Sequence, residues 1–183
     1  MPIVSQTHAP STLVTAIGGN AYATGTNTDA HGFVQNTIAD MGNVTIARGE
    51  ATFEATGTPS AGDGPAADAN TYLGVTGADI VVAFHVDFGN AASAYSTTRY
   101  VAIDVENWTP RNGPIVINHS SAHEVESLPI HNPAPGNVAA VVASADAHSA
   151  DAYGANTATA ALTNSLAVEN HFSLVSGLAI VAA

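Results

Sequence analysis

Large apolar residues recur at every second position near the end of the chain. Phe172, Leu174, Leu178 and Ile180 alternate with the smaller or polar Ser173, Gly177 and Ala179, the period of a half-buried strand with one greasy face. The middle of the chain repeats the pattern. Ile80, Val82, Phe84, Val86 and Phe88 form an apolar row with Val81, Ala83, His85 and Asp87 between them, which predicts a strand over 78–88 at the centre of a sheet. Over 99–108, Tyr100, Ala102, Asp104 and Glu106 alternate with Val101, Ile103 and Val105. One face is aliphatic and the other mainly polar, the mark of an antiparallel strand wet on one side. A further strand is predicted over 114–118.

The pattern changes between these strands. Phe33, Val34, Ile38 and Met41 fall at helical spacing, with Asp29 as an N-cap and Gly42 as a stop, and predict one short helix near 31–41. Residues 43–56 return to strand character, and the glycine of Arg48-Gly49 within that run predicts a bulge or a tight turn. Gly57–Asn70, with its Pro, Gly and Asp residues, reads as a loop. Residues 137–150 read as a strand, with a helix as the alternative because alanine favours one. The expected fold is an all-β, antiparallel β-sandwich, jelly-roll-like, with that one helix. A β-solenoid-like stack is the alternative, although it needs at least three clear repeats and the chain shows no strict one.

Composition narrows the class. No composition break divides residues 1–183, which read as one β-rich domain. Charged residues make up 10% of the chain, against roughly 25% in ordinary soluble domains, and the net charge is -12 with Arg48, Arg99 and Arg111 as the only cations. Phosphate backbones and anionic headgroups would find no counter-charge, so nucleic acid and anionic membrane surfaces are excluded as partners. No stretch reaches the 18 apolar residues of a helical span, so no membrane insertion is expected. With no cysteine, disulfides and thiolate metal sites are excluded as well. The acidic, lysine-free, Gly/Ala/Thr/Asn-rich make-up resembles that of bacterial proteins secreted by a C-terminal signal, which implies an extracellular or cell-surface location. A virion or cytoplasmic structural protein is the alternative.

Candidate chemistry gathers in three places. His119, His123 and Glu124, followed by His131, offer imidazole and carboxylate ligands of the kind zinc and copper accept, and His119 and His123 would share a face if they lay on one helical turn. The zincin order is not met, because the glutamate follows the second histidine, and a solvated polar loop is the plainer reading. Asp63, Asp68 and Asn70 could hold calcium from a Gly-rich loop, but without the Asp-x-Asp-x-Asp-Gly order of an EF-hand. His85 and Asp87 sit two apart on a predicted strand, so the carboxylate could orient the imidazole. No Gly-x-Ser-x-Gly elbow supplies a nucleophile, and an enzyme is not expected. Haem capture would use a histidine with Tyr72, Tyr95 or Tyr100, and no spacing selects a pair.

Two functions of different kinds follow. The first is a structural, self-assembling extracellular subunit of a filament, surface layer or matrix, with itself as partner and no cofactor. In this reading the segment 165–183 is available to complete a neighbour's sheet, and Phe172, Leu174, Leu178 and Ile180 fill the receiving pockets. The second is a secreted metal- or haem-binding module built on surface histidines.

Overall fold

The computed structural model describes residues 12–41, 43–59, 66–106, 108, 113–124, 138–149, 156–168 and 171–183. They form ten strands: β1 (Val14–Thr24), β2 (Thr26–Asp40), β3 (Val44–Thr58), β4 (Ala67–Thr76), β5 (Ile80–Asn90), β6 (Ser93–Val105), β7 (Ile115–Glu124), β8 (Val138–Ser149), β9 (Asn156–Val168) and β10 (Phe172–Ala182). Two five-stranded sheets pack as a sandwich. Sheet A has the order β4-β1-β10-β9-β8 and sheet B the order β2-β3-β6-β5-β7. Neighbours are antiparallel except β5 and β7, which run parallel, so sheet B is mixed. The all-β sandwich that the alternating pattern predicts is the fold observed.

Several expectations about single elements are corrected. The helix expected near 31–41 is strand: β2 pairs with β3 from Asp29↔Thr56 to Asp40↔Thr45, and no helix occurs among the described residues. Isolated helical spacing over one or two turns is weak beside a long hydrogen-bonded neighbour, and Thr, Val, Ile and Phe favour strands in any case. β3 passes through Arg48-Gly49 without a turn. The loop expected over 57–70 is shorter, since β3 runs to Thr58 and β4 begins at Ala67. The centre of sheet B is β6 rather than β5, and the centre of sheet A is β10.

The chain changes sheets at two corners that need glycine. Gly25, between β1 and β2, has φ +99°, and Gly77, between β4 and β5, has φ +83°. L side chains avoid that region, and a Cβ at either position would lie 2.3 Å from a backbone carbonyl oxygen. The β5–β6 hairpin is closed by Asn90, whose Oδ1 accepts from the backbone N–H groups of Ala92 (2.8 Å) and Ser93 (3.0 Å), an Asx turn.

The interior is built from small side chains. Of the fourteen buried apolar residues described, nine are alanine, so each contributes little transfer energy and the sheets must meet closely to exclude water. The largest fully enclosed side chain is Phe53 of β3. It fits because Gly19 of β1 and Gly32 of β2 flank its ring: a Cβ on either would come within 2.5 Å of a ring carbon. Hydroxyls and amides fill much of the rest. Asn36 Nδ2 of β2 donates to the carbonyls of Thr15 (3.2 Å) and Ala179 (3.1 Å), joining sheet B to β1 and β10. The Tyr100 hydroxyl sits against Thr15 Oγ1 and Asn36 Oδ1. Burial pushes the Tyr100 phenol above its ordinary pKa, and those two hydrogen bonds partly oppose the shift.

Large apolar residues face outward on both sheets. In β10 the buried positions are Ser173, Gly177, Ala179 and Val181, so Phe172, Leu174, Leu178 and Ile180 occupy the outer face of sheet A. In β5, Val81 and Ala83 pack on the core while Val82 and Phe84 are 43% and 41% exposed. In β6, Tyr100 and Ala102 are buried and Val101 is exposed. The faces expected to be buried in β5, β6 and β10 are thus the opposite ones. The cause is steric: across the sandwich from Gly177 stands Val34, 2.8 Å from where a Cβ would be, and Val175 meets Gly32 in the same way. Leucine-sized side chains have no room there.

Candidate functional site

Two features rise above the scaffold. The first is a polar cluster between the sheets, where β5, β6 and β4 bring His85, Asp87, Ser96, Thr98 and Thr71 together. The period of two carries His85 and Asp87 to the inner face, and antiparallel register places His85 opposite Thr98 and Asp87 opposite Ser96. His85 Nε2 lies 2.6 Å from Asp87 Oδ2, and His85 Nδ1 lies 2.8 Å from Thr98 Oγ1. Thr71 Oγ1, reaching across from sheet A, is 2.7 Å from Thr98 Oγ1 and 2.8 Å from Ser96 Oγ.

Carboxylate, imidazole and hydroxyl therefore stand in the order used for nucleophilic catalysis. The hydroxyl, however, belongs to a threonine that is 4% exposed and already held by Thr71, so a substrate carbonyl has no approach to it. What the arrangement can do is bind the sheets: the imidazole bridges Asp87 on one side and Thr98 on the other, and Thr71 ties that pair to sheet A. Asp87 as a side chain is about half exposed, yet its Oδ1 is enclosed without a hydrogen-bond partner among the described residues. The His85–Asp87 pair expected from the sequence is thus formed, and the hydroxyls that complete it come from β6 and β4. Their signal was the inward parity of Ser96, Thr98 and Thr71, which is visible only once the register is known.

The second feature is the outer face of sheet A. Register sets Phe172 beside Val168, Leu174 beside Leu166 and Tyr22, and Leu178 beside Leu162 and Gly18. Leu162, Leu166, Val168 and Ile180 are all more than a third exposed. Tyr72 of β4 lies over Gly18, where a Cβ would meet its hydroxyl at 2.6 Å, so the ring rests on the bare glycine. β1, β9 and β10 contain no charged residue, and they are adjacent.

The remaining candidates are placed as follows. His119 and His123 lie on β7, in register with Phe84 and Phe88, instead of in a loop or on a helical turn. Four residues along a strand separate their Cα atoms by about 13 Å, against about 6 Å on one helical turn. Glu124 ends β7, and His131 lies outside the described residues. Among the described residues no three His, Asp or Glu side chains converge on a metal position. Asp68 and Asn70 are exposed, alternate residues of β4, opposite Tyr22 and Asn20, and Asp63 lies outside the described residues. Of the tyrosines, Tyr95 stacks on Phe88 with ring centroids 4.4 Å apart, Tyr100 is buried and Tyr72 is exposed.

Comparison with known protein families, curated proteins and solved structures finds no match.

Proposed function

We propose that this protein is a structural subunit that self-assembles outside the cell or at its surface, in a filament, layer or matrix. The observation that carries the reading is the outer face of sheet A: three adjacent uncharged strands presenting Leu162, Leu166, Val168, Phe172, Leu174, Leu178 and Ile180 on a chain of net charge -12. A contiguous apolar face of this kind is an interaction surface or an aggregation hazard. A second copy is the partner it suits, because like-charged molecules associate most easily where neither brings charge.

Association through this face differs from donation of the C-terminal strand. β10 is hydrogen-bonded along its length to β1 on one side and β9 on the other within the same chain. Strand addition would use the sheet edges β2, β4, β7 and β8 instead. No cofactor and no catalytic step enter this reading.

The test is to purify the protein without added metal and to follow it by negative-stain microscopy, sedimentation velocity and metal analysis. Regular polymers without stoichiometric metal support the proposal. Monodisperse single subunits at high concentration would sink it, and bound zinc, copper or haem on discrete particles would favour the binding-module alternative.

A further inference from the structure

We propose that a cleft on the outer face of sheet B, between Arg48 and Arg99, is a binding site for a carboxylate carried on an apolar body. The cleft has a volume of about 280 Å³ and is lined by Gln35, Thr37, Arg48, Glu50, Arg99 and Val101, over the backbone of Gly49 and Tyr100. Register explains its shape. Gln35, Glu50, Arg99 and Phe84 form one row across β2, β3, β6 and β5, and Thr37, Arg48, Val101 and Val82 form the next. The cleft runs between these two rows.

Its charge is unlike that of the rest of the chain. Two of the three cations of the protein meet here, with one carboxylate between them, so the cleft is locally positive on a molecule of net charge -12. Arg99 Nη2 donates to Glu50 Oε1 at 2.6 Å, which fixes that guanidinium and leaves its other N–H donors available. Arg48 is exposed and has no ion-pair partner among the described residues. A guanidinium fork held at one end, beside a second free one, is suited to a planar carboxylate. The surrounding negative charge favours a monoanion over a phosphate dianion. Val101, Val82 and Phe84, all exposed beside the arginines, supply the surface for the apolar body.

The carboxylate could come from a free small molecule or from an acidic side chain of a second copy, and one experiment separates these sources. The probe is benzoate, titrated into dilute ¹⁵N-labelled wild-type protein and into Arg48→Gln and Arg99→Lys variants, with benzyl alcohol as the uncharged control. Saturable amide shifts at Gln35, Gly49 and Tyr100 in the wild type, weakened about tenfold or more in Arg48→Gln and absent with benzyl alcohol, are expected. The same shifts in Arg48→Gln, equal shifts with benzyl alcohol, or no saturable shift would overturn the proposal. Sedimentation velocity then identifies the source. Benzoate that dissociates assembled wild type, with weaker assembly by Arg48→Gln, assigns the site to a second copy; benzoate that binds and leaves assembly unchanged assigns it to a free ligand. The titration does not require assembly, so failure of the self-assembly reading leaves this proposal standing or falling on its own result.

Discussion

Ile180 and Val181 are neighbours in β10, yet Ile180 is 37% exposed and Val181 is 1% exposed. The same contrast runs through β6 and β10, whose inner faces hold mostly Ala, Gly, Ser and Thr while Val101, Leu178 and Ile180 lie outside. Steric fit, not hydrophobicity, decides which face turns inward. Phe53 and Val34 already occupy the space between the sheets, so the opposing strands can offer only small residues there. The transfer energy left unrealised on the outside is what association of copies would recover. The interior compensates for its few large side chains with hydrogen bonds between sheets, such as Ser173 Oγ donating to the Thr28 carbonyl (3.2 Å) and Asn36 bridging to β1 and β10.

The largest expected effect comes from putting a charge on the inner face. Val175→Asp should cost about 3 kcal/mol or more, because Val175 packs on the core and an unpaired carboxylate there must be desolvated. Leu178→Asp, on the outer face, should change the stability of the isolated subunit by about 1 kcal/mol or less, while abolishing assembly. Urea unfolding of dilute samples checks the first, and sedimentation at high concentration checks the second. Equal unfolding midpoints for the two variants would erase the distinction between the faces.

Next in size is overpacking around Phe53. Gly32→Ala places a methyl group 2.5 Å from the ring and from Val175, which should destabilise the fold by about 1–3 kcal/mol. Gly74→Ala, in β4, where the added Cβ has nothing nearer than 4.0 Å, should be close to neutral. Thermal melting of the pair provides the comparison, and similar melting temperatures would mean that Phe53 is not held as tightly as described.

The polar network gives a smaller effect with a pH signature. Tyr100→Phe removes the hydroxyl that Thr15 and Asn36 face, a loss of about 1–2 kcal/mol. Because burial raises the Tyr100 pKa in the folded state, its contribution is fully present below the unfolded value of about 10 and is lost as pH rises from there through the raised folded value. The wild type should therefore lose stability on the alkaline side more steeply than Tyr100→Phe. Parallel alkaline limbs in the two stability profiles would remove Tyr100 as the cause.

Charge should tune association more gently. Imidazoles ordinarily titrate near pH 6.5, and protonating all eight histidines would reduce the formal charge from -12 to -4. Light scattering at fixed concentration should rise between pH 8 and pH 5, and at pH 8 it should rise with added salt. A signal that falls toward pH 5 would count against repulsion as the limiting force.

Much of the fold could be read from the chain because alternation survives wherever a strand is long: β5 and β10 were predicted close to their observed positions, and the strand expected over 99–108 covers the second half of β6. The helix over 31–41 was misread because a few residues fit two periods at once, and only the pairing of β2 with β3 decides between them. Face assignment failed for a more general reason. A rule that turns the larger apolar side chains inward has no term for a partner sheet whose own residues fill the gap, although the small-residue parity of Gly19/Ala21/Ala23, Ala47/Gly49/Ala51 and Ser173/Gly177/Ala179 was already in the sequence. At the polar cluster, local spacing sufficed for His85 and Asp87, whereas Thr71 and Thr98 depend on contacts distant in the chain.

The absence of cysteine makes the central contrast directly measurable, since any introduced thiol is the only one. Ile180→Cys and Val181→Cys would be treated with a thiol reagent, first in dilute solution and then at concentrations that support assembly. At low concentration the thiol at position 180 should react far faster than that at 181, and on concentration position 180 should become protected while 181 stays slow. A faster reaction at 181 in dilute solution would show that the faces are assigned the wrong way round. Reactivity at 180 that does not change as particles form would show that this apolar face is not where the copies meet.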